Sequence, residues 1–285
     1  MKGVEIGVVV PVYNAERTLL ATLESIEQQR FPPKELIIVN DGSSDASEKI
    51  IQDFASRSTL KIATVFQENK GLGAARNKGW KASSCNWIAF LDADDLWDED
   101  KLKRLQLEIQ QKGDGVYYHS MRPLEGGRIR QAKKLKSLED VLLKGRSPVP
   151  SSVLMSRSLL ESSGGFTEDK AFLGAEDLHL WLRLLMRSTP FYGLNELLGE
   201  YRAGGMSSEI GMHSERVRAV LNSLADELSL SEAYLKKVEQ RLQYEWARAY
   251  HTIGELEKAI GLYKKAGWSL KIVGFRLACL LRLVL

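Results

Sequence analysis

Short apolar runs alternate with amphipathic helical stretches through the first hundred residues, and each run is halted by a polar loop. No other feature constrains the fold as tightly. Ile6–Val10 is β-branched and stops at Pro11, as a strand buried on both faces would. Ala15–Gln29 then puts Leu19, Leu23 and Ile26 at helical spacing, ahead of Pro32 and Pro33. Glu35–Val39 is a second run, closed by the turn-forming Asn40-Asp41-Gly42-Ser43. Ser44–Ser56 reads as a helix with Ile50, Ile51 and Phe54 inward. Lys61–Phe66 reads as a third strand, Gly73–Ala82 as a helix and Trp87–Leu91 as a fourth strand. This alternation predicts an α/β, Rossmann-like architecture with a mostly parallel sheet and right-handed crossovers. Ligands of such sheets sit beyond the carboxyl ends of the strands. Pro11-Val12-Tyr13-Asn14, Asp41-Gly42-Ser43-Ser44 and Asp92-Ala93-Asp94 all fall on that edge, which makes it the expected site.

Composition narrows the class. A chain of 285 residues, 44% hydrophobic and 27% charged, can bury a large core. Its net charge of +3 is too small to argue for nucleic acid. Two cysteines, Cys85 and Cys279, imply no disulfide framework and fit a reducing cytosol. The N-terminal apolar run is broken by Glu5 and Pro11, so it reads as a strand and not as a signal peptide. No apolar segment approaches the ~20 residues of a membrane-spanning helix.

The run IAFLDADDLW asks why carboxylates stand where a core strand meets a loop. If strand geometry continues past Leu91, Asp92 and Asp94 project to the same side. Two facing anions repel unless a cation sits between them. Oxygen ligands without nearby Cys or His suit Mg²⁺ or Mn²⁺, which keep positions free for substrate phosphates. Asp94 and Asp95 could instead cap a helix starting near Trp97, a role that suits Asp95 but leaves Asp92 unexplained.

Five blocks in order carry a family resemblance: PVYNAERTLLATLESI, ELIIVNDGSSDAS, ENKGLGAARNKGWKAS, FLDADD, and SGGFTE through FLGAEDLHLWLRL. Together they resemble the family 2 glycosyltransferases, which use nucleotide-sugar donors on an A-type fold. The resemblance implies that Pro11 and Tyr13 frame the nucleotide base and that Asp41 accepts the ring N–H of uracil. It places Glu16 near the base or ribose, or in the first turn of its helix. Arg76 matches a basic residue on the nucleotide side, against the alternative of a solvated arginine on an exposed helix face. Asp92 contacts ribose or metal, and Asp94 ligates Mn²⁺ or Mg²⁺. Asp177 matches the base that deprotonates the acceptor, and Glu176 its companion. A helix N-terminus would keep Asp177 ionised, with Leu178, Leu182 and Leu185 as the buried stripe behind it. His179 is expected to be exposed. Gly71 and Gly73 give tight backbone passage and form no dinucleotide fingerprint. The implied activity is metal-dependent, inverting transfer of one sugar, from a UDP-sugar or another nucleotide donor, to an acceptor hydroxyl in polysaccharide or glycoconjugate synthesis. The acceptor, whether glycan, lipid-linked or protein, is not readable.

Departures and competing readings complete the picture. The loop Tyr201–Ser207 lacks the histidine such loops often carry, leaving Arg202 as the charged candidate for a diphosphate contact. The QxxRW signature of processive members is missing. A nucleotidyltransferase would want a glycine-rich loop where PVYNAE stands, and a glycosidase would not need the Asp41 arrangement. An inactive relative acting through its helical tail is the alternative to an enzyme. The expected division is a catalytic domain over 1–230, with nucleotide and acceptor halves meeting near residue 97, and a helical extension over 231–285. That extension holds ten Lys/Arg against five Glu. Residues 244–266 look like one tetratricopeptide-type hairpin, which cannot bury its own apolar face. The hairpin is therefore expected to pack on the catalytic domain or a partner, and residues 269–285 read as a helix covering a hydrophobic surface or a homodimer interface, or lying on the inner membrane surface.

Overall fold

The computed structural model describes residues 3–202, 212–267 and 270–280. Two compact units result: residues 1–141 with 146–204, and residues 142–145 with 205–285.

In the first unit the order begins β1 (Ile6–Val12), α1 (Leu19–Glu27), β2 (Glu35–Asn40), α2 (Ser47–Arg57), β3 (Ile62–Phe66), α3 (Leu72–Ala82) and β4 (Trp87–Phe90). It continues with β5 (Leu96–Trp97), α4 (Lys101–Lys112), β6 (Val116–Pro123), α5 (Leu138–Leu142), β7 (Leu154–Ser156), α6 (Arg157–Ser163), α7 (Glu176–Met186) and β8 (Phe191–Tyr201). One sheet runs β3-β2-β1-β4-β7-β6-β8-β5. Strands β3, β2, β1 and β4 are mutually parallel. β7 is antiparallel to both β4 and β6, and β8 runs parallel to β6. The carboxyl ends of β6 and β8 therefore open on the same edge as those of β1, β2 and β4.

Every residue of β1 is buried, which a strand covered on both faces requires. Its even-numbered side chains, Ile6 to Val12, join Leu19, Leu23, Ile51 and Phe54 in one cluster, so α1 and α2 cover that face. α3 covers the other face so closely that a Cβ on Gly79 would lie 2.2 Å from Val9 Cγ1. β1 reaches Val12, so Pro11 lies inside the strand instead of ending it. Its ring nitrogen faces the β4 side, where pairing stops at Val9 and Phe90, so no ladder bond is lost.

The second unit holds α8 (Met212–Ser223), α9 (Ala225–Leu228), α10 (Glu232–Thr252), α11 (Leu256–Lys265) and α12 (Leu270–Leu280). Its division from the first lies ahead of residue 230, because α8 binds α10: Arg218 Nε donates to Glu239 Oε2 at 2.9 Å. The α10–α11 hairpin is covered by α12. Phe275 stacks on Tyr263 with centroids 5.8 Å apart, and Ile272 and Cys279 pack on the same cluster. Ile272, Phe275 and Cys279 of α12 are thus engaged within their own unit. Among the described residues no helix is long and apolar enough to cross a membrane.

Candidate active site

The loops after β1 and β2 are laced together by short polar side chains. Asn14, at φ 48°, accepts the Ser44 N–H at 2.8 Å, and its own N–H donates to Ser43 Oγ at 3.0 Å. Glu16 accepts from Ala46 N at 3.0 Å while its N–H donates to Asp45 Oδ2 at 2.9 Å. α1 begins only at Leu19, so Glu16 is not in its first turn; it staples one crevice loop to the next. Pro11 is buried, whereas the Tyr13 ring is 54% exposed at the crevice edge.

Asp41 makes no local Asx turn; its neighbour Asn40 serves the turn instead, accepting the Ser43 N–H at 2.9 Å. Asp41 is buried and reaches across the crevice instead. Its Oδ1 accepts from Gln67 at 2.6 Å and Lys70 N at 2.9 Å, and its Oδ2 accepts from Gly71 N at 2.9 Å. It thereby shapes the loop that enters α3.

Arg76 on α3 is fully buried, so the exposed-face reading fails. Its guanidinium donates to Asp92 Oδ1 at 2.7 Å and Oδ2 at 3.0 Å, and to Glu176 Oε1 at 2.8 Å. Burial opposes its charge, but the fields of Asp92, Glu176 and Asp177 outweigh it and raise its pKa further. The arginine thus clamps the carboxylate after β4 to the start of α7. Such contact needs α3 to sit hard against the 166–167 loop. A Cβ on Gly73 would lie 2.2 Å from the Thr167 carbonyl oxygen and 3.5 Å from Glu176 Cβ. Gly73→Ala is therefore expected to lower stability by about 1–3 kcal/mol in urea unfolding. An unchanged midpoint would show that α3 can withdraw freely.

Strand geometry does not persist past Leu91. A turn closes instead, with the Asp95 N–H on the Asp92 carbonyl at 3.1 Å. Three elements hold it. Thr18, just ahead of α1, and Thr22 within it donate to the carbonyls of Ala93 (2.8 Å) and Asp95 (2.9 Å). Ser151 Oγ accepts the Asp92 N–H at 3.0 Å, and its carbonyl accepts from Trp97 Nε1 (2.7 Å) and from fully buried Lys101 (2.8 Å). Asp95 caps no helix, since α4 starts at Lys101; its Oδ1 accepts the Arg202 N–H at 2.9 Å. The guanidinium of Arg202 is engaged by Glu125 at 3.0 Å. The rest of the loop probed for a histidine, residues 203–207, lies outside the described residues.

Charge in this turn is lopsided. Burial, then the charge of Asp92, raises Asp94, and burial with both neighbours raises Asp95. Asp92 has Arg76 as counter-charge; Asp94 has no ion-pair partner among the described residues. No cluster of three metal-ligating side chains occurs among the described residues. That donor set fits Mg²⁺ or Mn²⁺, which take one or two carboxylates and complete their shell with substrate phosphates.

At the start of α7, Glu176 is buried between Arg76 and the Gly174 N–H, which it accepts at 2.6 Å. Asp177 accepts the Leu178 N–H at 2.7 Å. Burial first, then Glu176, pushes Asp177 up to about 7, with Arg76 opposing. The helix terminus does not keep this carboxylate strongly ionised; desolvation wins. The stripe behind it is Leu180, Trp181 and Leu184 with Leu182, while Leu178 and Leu185 are only partly buried. His179 is not exposed either: it stacks on Phe172 at 5.2 Å, and burial and Arg183 lower it to about 4.

Thr18, Thr22, Ser151 and Lys101 escaped the sequence reading. Only the Thr18–Thr22 pair leaves a trace, as hydroxyls one turn apart beside the apolar Leu19–Leu23–Ile26 face.

Comparison with known proteins bears on this arrangement. The description "Glycosyl transferase family 2" matches residues 7–162. The glycosyltransferase TuaG of Bacillus subtilis, named for teichuronic acid biosynthesis, is 30% identical over 203 residues, 69% of this chain and 78% of its own length. Among solved structures, TarS of S. aureus in complex with UDP-GlcNAc superposes with a TM-score of 0.64 at 19% identity, covering 98% of this chain and 88% of that one. The mannosyltransferase PcManGT of Pyrobaculum calidifontis, in complex with GDP-Man and Mn²⁺, gives 0.64 at 20% identity over 96% and 80%. At such identities the structural likeness speaks for the A-type fold alone. The family match spans more than half of the residues, including the Asp41, Arg76 and Asp92–Asp94 segments, and so the chain belongs to glycosyltransferase family 2.

Proposed function

We propose that this glycosyltransferase transfers a single sugar from a UDP-sugar to an acceptor hydroxyl, with a divalent cation and with inversion at the anomeric carbon, in the synthesis of a polysaccharide. The carrying observation is the Arg76 clamp: it ties a donor-side carboxylate, Asp92, to Glu176, the neighbour of the candidate base. UDP-GlcNAc in TarS and the naming of TuaG support the donor and the pathway class, and Mn²⁺ in PcManGT supports the ion.

Asp41 orders the loop around the base, and Tyr13 offers an exposed ring beside it. Asp94, with Asp92 beside it, would hold the cation, whose charge offsets that developing on the departing diphosphate. Asp177 takes the proton of the attacking hydroxyl; a base near pH 7 balances availability against proton affinity. Arg76 holds Glu176, and through it the first turn of α7, in place. Attack from the face opposite the diphosphate inverts the sugar.

Calorimetric titration of UDP with and without Mn²⁺ tests the reading on wild type and Asp94→Asn. Mn²⁺ is expected to tighten UDP binding to wild type by about tenfold or more, ~1.4 kcal/mol, and not to do so in the variant. Equal, metal-independent binding in both would remove Asp94 from the cation site.

A further inference from the structure

The residues before 231 sum to a small negative charge, yet one segment among them is strongly basic. Arg128, Arg130, Lys133, Lys134, Lys136 and Arg146 of the first unit stand against only Glu139 and Asp140. Arg146 pairs with Asp140 at 2.7 Å. The other five are exposed and form no ion pair among the described residues.

These cations are displayed on a pinned segment. Arg130 and Met121 exchange both backbone hydrogen bonds, at 2.9 and 3.0 Å. The Ala132 N–H donates to Ser120 Oγ at 3.0 Å, Tyr118 Oη donates to the Lys133 carbonyl at 2.6 Å, and Ala132 and Leu135 are buried. Backbone and apolar anchors hold the segment while its charged ends face solvent. Beside it lies a small dimple of about 30 Å³ whose lining includes Tyr118, Arg130, Lys133, Arg146 and Pro148 and holds no carboxylate.

It is built on the same sheet as the reaction centre. β6 ends on the same sheet edge as the Asp92–Asp94 turn, and Pro148 and Val149 lead directly into Ser151, which holds Asp92. Tyr118 packs on Phe191 and Phe191 on Trp181 of α7, so the dimple shares a sheet face with the helix that carries Asp177 in its first turn. The donor loops Asn14–Ser44 and Asp41–Gly71 belong to the far side, around β1, β2 and α3.

We propose that this segment binds the acceptor and that the acceptor is a polyanionic glycan, a chain with repeated phosphate or carboxylate groups, one of whose hydroxyls it holds near Asp177. The inference rests on the glycosyltransferase reading above. Cations spread along Arg128–Lys136 suit charges repeated along a polymer; a single diphosphate would call for donors converging on one point.

The test uses the full chain as wild type, as Arg130→Gln/Lys133→Gln/Lys134→Gln, and as Lys236→Gln/Lys237→Gln, a control in the basic helical unit. Probes are polyphosphate, neutral dextran and farnesyl diphosphate, with UDP and Mn²⁺ titrated in parallel. Wild type and control are expected to bind polyphosphate in preference to dextran. The triple variant should bind it about tenfold more weakly, the sum of three exposed charge contacts, with UDP affinity unchanged. Equal polyphosphate binding by the triple variant overturns the proposal. Displacement of polyphosphate by equimolar farnesyl diphosphate overturns the polymer in favour of a lipid diphosphate. Weakened UDP binding in the triple variant reassigns the cations to the donor. Polyphosphate selectivity in a protein that binds no UDP refutes the nucleotide reading, and with it the acceptor role, by a separate readout.

Discussion

Arg76→Met will destabilise the first unit by about 3–5 kcal/mol, because it strands two carboxylates that the fold has taken out of water. Asp92 is partly exposed and Glu176 almost fully buried, so most of the loss falls on Glu176. Arg76→Lys will not rescue it. One ammonium is a point charge, whereas the guanidinium serves Asp92 and Glu176 from different nitrogens at once. The double variant Arg76→Met/Glu176→Gln should recover part of the loss, since no anion is then left unpaired at that end. Urea midpoints for wild type, Arg76→Met, Glu176→Gln and the double variant give the cycle. A loss under about 1 kcal/mol for Arg76→Met would mean that water replaces the arginine and that the clamp is incidental.

Asp177→Asn will lower the turnover rate by roughly 10²–10⁴-fold while leaving UDP affinity unchanged, because it removes the proton acceptor and nothing that touches the donor. The pH dependence follows from the same carboxyl. With its pKa pushed up to about 7, activity should fall as pH drops through that value, where Asp177 becomes protonated. Stability runs the opposite way. A carboxyl whose folded pKa lies above its unfolded one, about 3.9, favours the native state below that lower value and loses the contribution as pH rises through about 7. Asp177→Asn should therefore raise the melting temperature at pH 8 while lowering turnover. Steady-state UDP release across pH, with thermal melts on the same samples, checks both. A variant that keeps a tenth or more of the wild-type rate would place the base elsewhere.

Much of the frame was open to reading from the chain. Apolar runs with turn-forming stops and helical spacing are local patterns, and they placed the first four strands to within a residue or two. Pro11 was the exception, because whether a proline ends a strand depends on how far its neighbour extends. Errors gathered where burial decides. The stripe on α7 shifted from Leu178 and Leu185 to Leu180, Trp181 and Leu184, since a leucine-rich helix can turn more than one apolar side inward. Asp95 looked like a cap because Asp caps helices; the structure uses it to hold the Arg202 backbone. The expected ionised state of Asp177 rested on a helix terminus worth tenths of a kcal/mol, and desolvation beside Glu176 is the larger effect.

By itself the sequence determined the alternation of strand and helix, the polar edge where three loops meet, and the family, because each depends on residues within a turn or a strand of one another. Tertiary structure alone decided what the charges do. Arg76 meets a carboxylate 16 residues away and another 100 residues away, and Asp92 rests on a serine 59 residues further along the chain. Electrostatic work depends on distance and on excluded water, and both are set only when the chain closes on itself.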